Sequence, residues 1–230
     1  MRHGRRRDAA DDTRRNTPAP ARGAPETDAA DAVTPGRIAT ETIYDGRIVH
    51  LSIDTVRFPD GSTGRLEMIR HSGASAVLPI LEEGEDPLIV LLRQYRYAAD
   101  GYLFEIPAGR PEWTGEAWSD CARRELEEEA GLIPERLVPL TTIYTTPGFT
   151  DERIHLFLAL GVRPGTRTLD SDEFLEPVSL RLSEALARIR TGEIVDAKTI
   201  CTLHCAAEYL RHTARSLSTS ARNLSSEGDT

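Results

Sequence analysis

Cysteine, methionine and tryptophan are scarce in this chain, with three, two and two residues among 230. Cys121, Cys201 and Cys205 are too few to staple a disulfide scaffold. Cys201 and Cys205 lie four apart, but no Cys/His pair accompanies them at zinc spacing, so the thiols read as buried and free in a reducing compartment. No apolar run approaches the length of a membrane span, so no membrane partner is expected. Positive charge is also short: 28 basic residues face 37 acidic ones, a net of −9, which disfavours a nucleic-acid-binding surface. The start is rich in arginine (Arg2, Arg5, Arg6, Arg7), but acidic residues follow where a secretory signal needs an apolar run. Cytoplasmic residence is the expectation.

Residues 1–37 lack Leu, Ile, Phe, Tyr and Trp altogether. Such a segment cannot bury enough apolar surface to offset its ordering entropy, so it reads as a disordered arm, and the Ser-rich tail over 215–230 reads the same way. The arm carries eight basic and six acidic residues, which leaves −11 on the rest of the chain. From Ile38 onward short β-like runs begin. Glu41–Tyr44 and Arg47–Phe58 flank Asp45–Gly46, a two-residue hairpin signal, and one slip in the alternation of the second run suggests a bulge there. Ala74–Leu81 and Leu88–Arg93 are continuously apolar, as strands covered on both faces should be. Two late helices follow, Ser183–Thr191 with Ser183 as its N-cap and Gly192 beyond its end, and roughly Asp196–His212 with Ile200, Leu203, Ala207 and Leu210 as its core stripe. Strands with segregated helices indicate an α+β or layered α/β/α domain over 73–214, with 38–72 as a small β subdomain.

The most informative segment is Glu116–Ala130, closed by Gly131. At ~100° per residue, Glu125, Glu128 and Glu129 share one wedge with Trp118, Cys121 and Ala122 beside it. Like charges at this spacing destabilise a helix slightly, and burying them unpaired costs far more. Three converging carboxylates call for a hard divalent cation; an acidic solvated face is the bland alternative.

Gly109, Glu116, Arg124-Glu125-Leu126, Glu128-Glu129 and Gly131-Leu132 resemble the Nudix box, G-x5-E-x7-R-E-U-x-E-E-x-G-U with U aliphatic. From Glu116 to Leu132 every fixed position matches, whereas six residues, Arg110 to Gly115, stand where the pattern has five. Flanking segments are similar to the ADP-ribose pyrophosphatase branch. They are Arg93-Gln94-Tyr95-Arg96, Glu105-Ile106-Pro107-Ala108-Gly109, Thr146-Pro147-Gly148-Phe149-Thr150-Asp151-Glu152 and the acidic run Asp172–Glu176.

The resemblance implies a Nudix α/β/α sandwich with a small N-terminal antiparallel β subdomain, paired into a homodimer by exchange of that subdomain. It implies hydrolysis of ADP-ribose to AMP and ribose 5-phosphate with Mg²⁺, or Mn²⁺. Glu125, Glu129 and the Ala108 carbonyl would bind metal, with Glu128 beside them, Arg124 orienting a glutamate and Glu116 supporting the loop–helix junction. Glu173 is the candidate late-loop base or third ligand, with Asp172 and Glu176 competing. Arg96 is the first choice for a phosphate, Arg93 the second; Glu105 holds Arg96 or lines the site. Pro147 and Phe149 border the terminal ribose or form a plain turn. His71 and His155 read as structural. Rival readings are another nucleoside diphosphate substrate, such as GDP-mannose or NADH, and a ligand-sensing regulator without turnover.

Overall fold

The computed structural model describes residues 34–171 and 173–226. Three antiparallel strands, β1 (Gly36–Asp45), β2 (His50–Arg57) and β3 (Thr63–Arg70), form a small sheet in that order. The Asp45–Gly46 signal does mark the hairpin, but four residues, 46–49, make the connection, closed by the Gly46 amide donating to the Val49 carbonyl at 2.9 Å. The irregularities fall in β1, between Arg37 and Ala39 and between Thr42 and Tyr44, rather than in the second strand as the alternation suggests. That strand is held straight by continuous pairing with β3, whereas β1 is an edge strand paired on one side only.

The main sheet has the order β10-β5-β4-β9-β8, built from β4 (Ala74–Glu82), β5 (Leu88–Arg96), β8 (Leu132–Tyr144), β9 (Arg153–Pro164) and β10 (Leu175–Arg181). Two short strands, β6 (Gly101–Glu105) and β7 (Ala108–Gly109), pair with β5 and β4 respectively. Pairing of β4 with β9 is parallel; the other ladders are antiparallel. One face is covered by α1 (Trp118–Ala130), whose Ala122 and Leu126 pack on Val77, Phe157 and Ala159. The other is covered by α2 (Leu182–Arg190) and α3 (Ala197–Ser226), whose Ala185, Leu203 and Ala206 meet Leu78, Ile80, Leu156 and Leu158. The alternate residues of β4 thus point into two different cores, which is why its sequence is apolar throughout. This is the α/β/α sandwich with an N-terminal antiparallel sheet that the sequence reading expects.

Two helix boundaries differ from that reading. Ser183 lies inside α2 rather than capping it; Asp86, on the β4–β5 turn, accepts from the Ser183 amide at 2.9 Å and hydroxyl at 2.7 Å. A carboxylate from a distant turn therefore does the work expected of a local serine. The last helix runs to Ser226, past His212 and into the stretch read as disordered from 215; no proline or glycine stands between 213 and 226 to stop it. Residues 1–33, nearly all of the arm, and 227–230 lie outside the described residues. Among the described residues no helix is long and apolar enough to cross a membrane.

The loop between β8 and β9 ties the small sheet to the sandwich. The Ile69 amide donates to the Phe149 carbonyl at 2.8 Å, the His71 amide to the Asp151 carboxylate at 2.8 Å, and Arg70 bridges Asp151 and the buried Asp54.

Candidate metal and diphosphate site

Helix α1 begins where the loop after β7 ends, and Gly131 closes it in the left-handed conformation, φ 66°. Its carboxylates sit against β7 because Glu125 and Glu129 share the stripe that carries Cys121, Ala122 and Leu126 inward. Gly109 makes this approach possible: a Cβ built there would overlap the Glu125 carboxylate. Glu129 accepts the Ala108 amide at 2.9 Å.

Arg124 is the hub of the cluster. Its guanidinium reaches Glu125 at 2.8 Å, Glu128 at 2.9 Å, Glu116 at 3.2 Å and the Arg110 carbonyl at 2.9 Å. Burial opposes its charge, but the bonds to Glu116, Glu125 and Glu128 outweigh burial and raise its pKa above the ordinary arginine value. Glu116, itself buried, also accepts the Glu112 amide at 2.9 Å, so it fastens the loop to the helix. Burial pushes the Glu125 carboxyl up to about 7 despite Arg124, and the Glu129 carboxyl up to about 8. Charge on Glu173 adds to both shifts. Within this cluster four carboxylates, Glu116, Glu125, Glu128 and Glu129, share one guanidinium, that of Arg124, or the Ala108 amide.

These residues border a cleft of about 650 Å³ that also takes in Arg96, Glu173, Asp170 and Thr168. The Arg47–Ile48 tip of the β1–β2 hairpin and the Arg110–Glu112 loop complete its rim. The late loop is fixed on α1 by the Thr168 amide donating to the Glu128 carbonyl (3.0 Å) and by Arg167 donating to the Glu129 carbonyl (2.8 Å). Glu173 accepts the Asp170 amide at 3.1 Å. Glu176 lies on β10 opposite Arg93, away from the cleft, and Asp172 falls outside the described residues.

The other sequence-predicted residues separate by position. Arg96 faces the cleft, its Nε and Nη2 held by Glu105 at 2.7 and 2.9 Å. Glu105 sits behind it, fully buried, and also meets Lys198; burial would raise its pKa, but Arg96 and Lys198 outweigh that and hold it low. Arg93 points elsewhere, stacked 3.8 Å over the Tyr102 ring. Pro147 and Phe149 do not line the cleft; their loop serves the junction with β3. His155 stacks on Trp118 at 4.2 Å and His71 accepts the Gly73 amide, both outside the cleft. Sequence reasoning missed Asp170, Thr168, Arg47 and Arg110, which reach the site on loops that carry no periodic signal.

Among the described residues no three ligand side chains are already gathered around one point, because Glu125 and Glu128 both close on Arg124. The donor set nonetheless fits a hard divalent ion: it is all oxygen, partly buried, and deficient in positive charge. An acidic helix laid against a glycine-bearing strand, inside a polar cleft and clamped by one arginine, defines a site for a cation and an anionic substrate. The chain belongs to the NUDIX domain family, whose profile matches residues 70–203. An ADP-ribose pyrophosphatase of Bacillus subtilis (strain 168) is 41% identical over 164 residues, 70% of this chain and 86% of that protein. A methanol dehydrogenase activator of Bacillus methanolicus is 42% identical over 176 residues, 76% of this chain and 91% of that protein. Among solved structures, an ADP compounds hydrolase superposes with a TM-score of 0.68 at 21% identity, covering 80% of this chain and 97% of the other.

Proposed function

We propose that the protein hydrolyses the diphosphate of ADP-ribose to AMP and ribose 5-phosphate with a divalent cation, Mg²⁺ or Mn²⁺. The observation that carries this reading is the Glu125–Glu128–Glu129 cluster on α1, under-neutralised and open to a cleft large enough for a nucleotide. Its similarity to an ADP-ribose pyrophosphatase names the substrate. Glu125, Glu129 and the Ala108 carbonyl would hold the cation, which screens the diphosphate and makes water a competent nucleophile near neutral pH. Arg124 keeps Glu125 and Glu128 in place and Glu116 anchors Arg124. Glu173 stands across the cleft as the carboxylate that takes a proton from attacking water. Arg96, oriented by Glu105, offers its remaining N–H groups to a phosphate oxygen.

Residues 38–72 are assigned as a dimerisation subdomain and 73–214 as the catalytic domain, in a homodimer that exchanges the former. Ile38 and Ile43 on the edge strand β1, with Ile48 and Leu66, are large apolar side chains left exposed on this part of the molecule. Free Cys121, Cys201 and Cys205 support a reducing, cytoplasmic setting.

The test is product analysis by chromatography after incubating purified protein with ADP-ribose and Mg²⁺, against an EDTA control, beside GDP-mannose and NADH. Cation-dependent AMP and ribose 5-phosphate are expected. Cleavage of another substrate alone would discard ADP-ribose and keep the reaction. The name of the Bacillus methanolicus relative favours a second reading, a regulator of another enzyme. Silence on every substrate would bring it forward, although Glu125, Glu128 and Glu129 are all retained.

A further inference from the structure

The arginines around the cleft differ in what they already hold. Arg124 is shared among three carboxylates, Arg96 lends two of its nitrogens to Glu105, and Arg47 is engaged within the chain. Arg110 is different. Its carbonyl is pinned by Arg124 at 2.9 Å, which fixes the backbone from which the side chain springs. Its exposed guanidinium makes no hydrogen bond or ion pair among the described residues. It lines the large cleft and also an adjoining hollow of about 190 Å³ beside Arg70, His50 and His71. Those neighbours are answered by carboxylates: Arg70 by Asp54 and Asp151, His50 by Asp45, and His71 by Glu152 at 3.5 Å. Arg110 is also the residue directly after Gly109, in the loop that is one residue longer than the box pattern. A rigidly based, unpaired guanidinium beside the carboxylate cluster suits a forked bond to a phosphate, because Arg presents two parallel donors without needing to be released from a partner first.

We propose that Arg110 is a substrate-binding residue whose guanidinium grips the diphosphate and sets affinity more than turnover. This rests on the reading of the cleft as a diphosphate site.

The test compares wild type, Arg110→Ala, Arg110→Lys and a surface control, Arg163→Ala, in full-length protein. Steady-state kinetics on ADP-ribose with Mg²⁺ are paired with calorimetric binding of Mg²⁺–ADP, a readout that needs no turnover. Arg110→Ala is expected to raise KM and the ADP dissociation constant about tenfold, or about 1.4 kcal/mol, with kcat within about twofold. Arg110→Lys should recover part of both, since it keeps the charge and loses the fork. The KM of Arg110→Ala should also depend less steeply on salt than that of wild type. Arg110→Ala matching Arg163→Ala in KM and in ADP binding would overturn the proposal, as would a fall in kcat with KM and binding unmoved. Wild type that binds ADP more tightly than Arg110→Ala yet leaves ADP-ribose intact would sink the proposed substrate while upholding the role of Arg110.

Discussion

Glu129 is buried, accepts one backbone amide, and is pushed up to about 8 by desolvation. Glu129→Gln keeps the shape and removes the charge. Turnover should fall about 100-fold or more, the scale of losing one charge-stabilising group, and the circular dichroism spectrum should be unchanged. Near-wild-type turnover would remove Glu129 from the proposed metal site. Gly109→Ala probes the same site from the backbone side. The added methyl group must displace the Glu125 carboxylate, and a shift of about 1 Å in a catalytic group costs about 100-fold in rate. Single-turnover assays should show that loss while the thermal midpoint moves little; full activity would mean that Glu125 is free to relocate. Glu125 and Glu129 were legible in the sequence because they lie on one helix, where spacing decides which side chains converge. Arg110, Asp170 and Thr168 were not, since a loop's course depends on the contacts it makes at a distance.

Elements followed the same division. Strands β4 and β5 stood out as continuous apolar runs and helix α1 by its spacing, because each carries its burial pattern in its own residues. The start of α2, the end of α3 and the course of the β1–β2 connection did not. The N-terminus of α2 is satisfied by Asp86, nearly a hundred positions away in sequence, and no local rule finds such a cap. Asp86→Ala removes an N-cap and should therefore lower the thermal midpoint by about 2–4 °C for a domain of this size. Scanning calorimetry measures this, and activity should be untouched because Asp86 is remote from the cleft. No change in midpoint would show that Ser183 serves as its own cap once Asp86 is gone.

At the scale of the whole molecule, the cluster couples stability to pH. Glu125 and Glu129 have folded pKa values of about 7 and about 8, above the ordinary carboxyl value of 4.5. Their protonated forms favour the folded state, so the contribution is complete below about 4.5 and is lost as pH rises through 7 and 8. Glu105 and Asp151 are shifted the other way, and their contribution is already complete above pH 6. In EDTA the thermal midpoint should thus fall between pH 6 and 9. With Mg²⁺ the added stabilisation should grow over that window, because the cation binds the deprotonated carboxylates. A midpoint insensitive to Mg²⁺ at pH 9 would contradict a cation site here. For the proposed dimer, Ile43→Asp should convert the protein to monomer in light scattering after gel filtration; an unchanged mass would exclude the β1 face.

By itself the sequence determined the fold family and the carboxylate cluster, because the box pattern is local in the chain, its Glu125, Glu128 and Glu129 lie on one helix, and the strands around it announce their burial. Only the tertiary structure decided which arginine is already paired and which stands unpaired at the cleft, that the Pro147–Phe149 loop braces the small sheet, and that the hairpin tip reaches the site. Those outcomes depend on which distant groups satisfy one another's charges and hydrogen bonds, and that pairing exists only once the chain has folded.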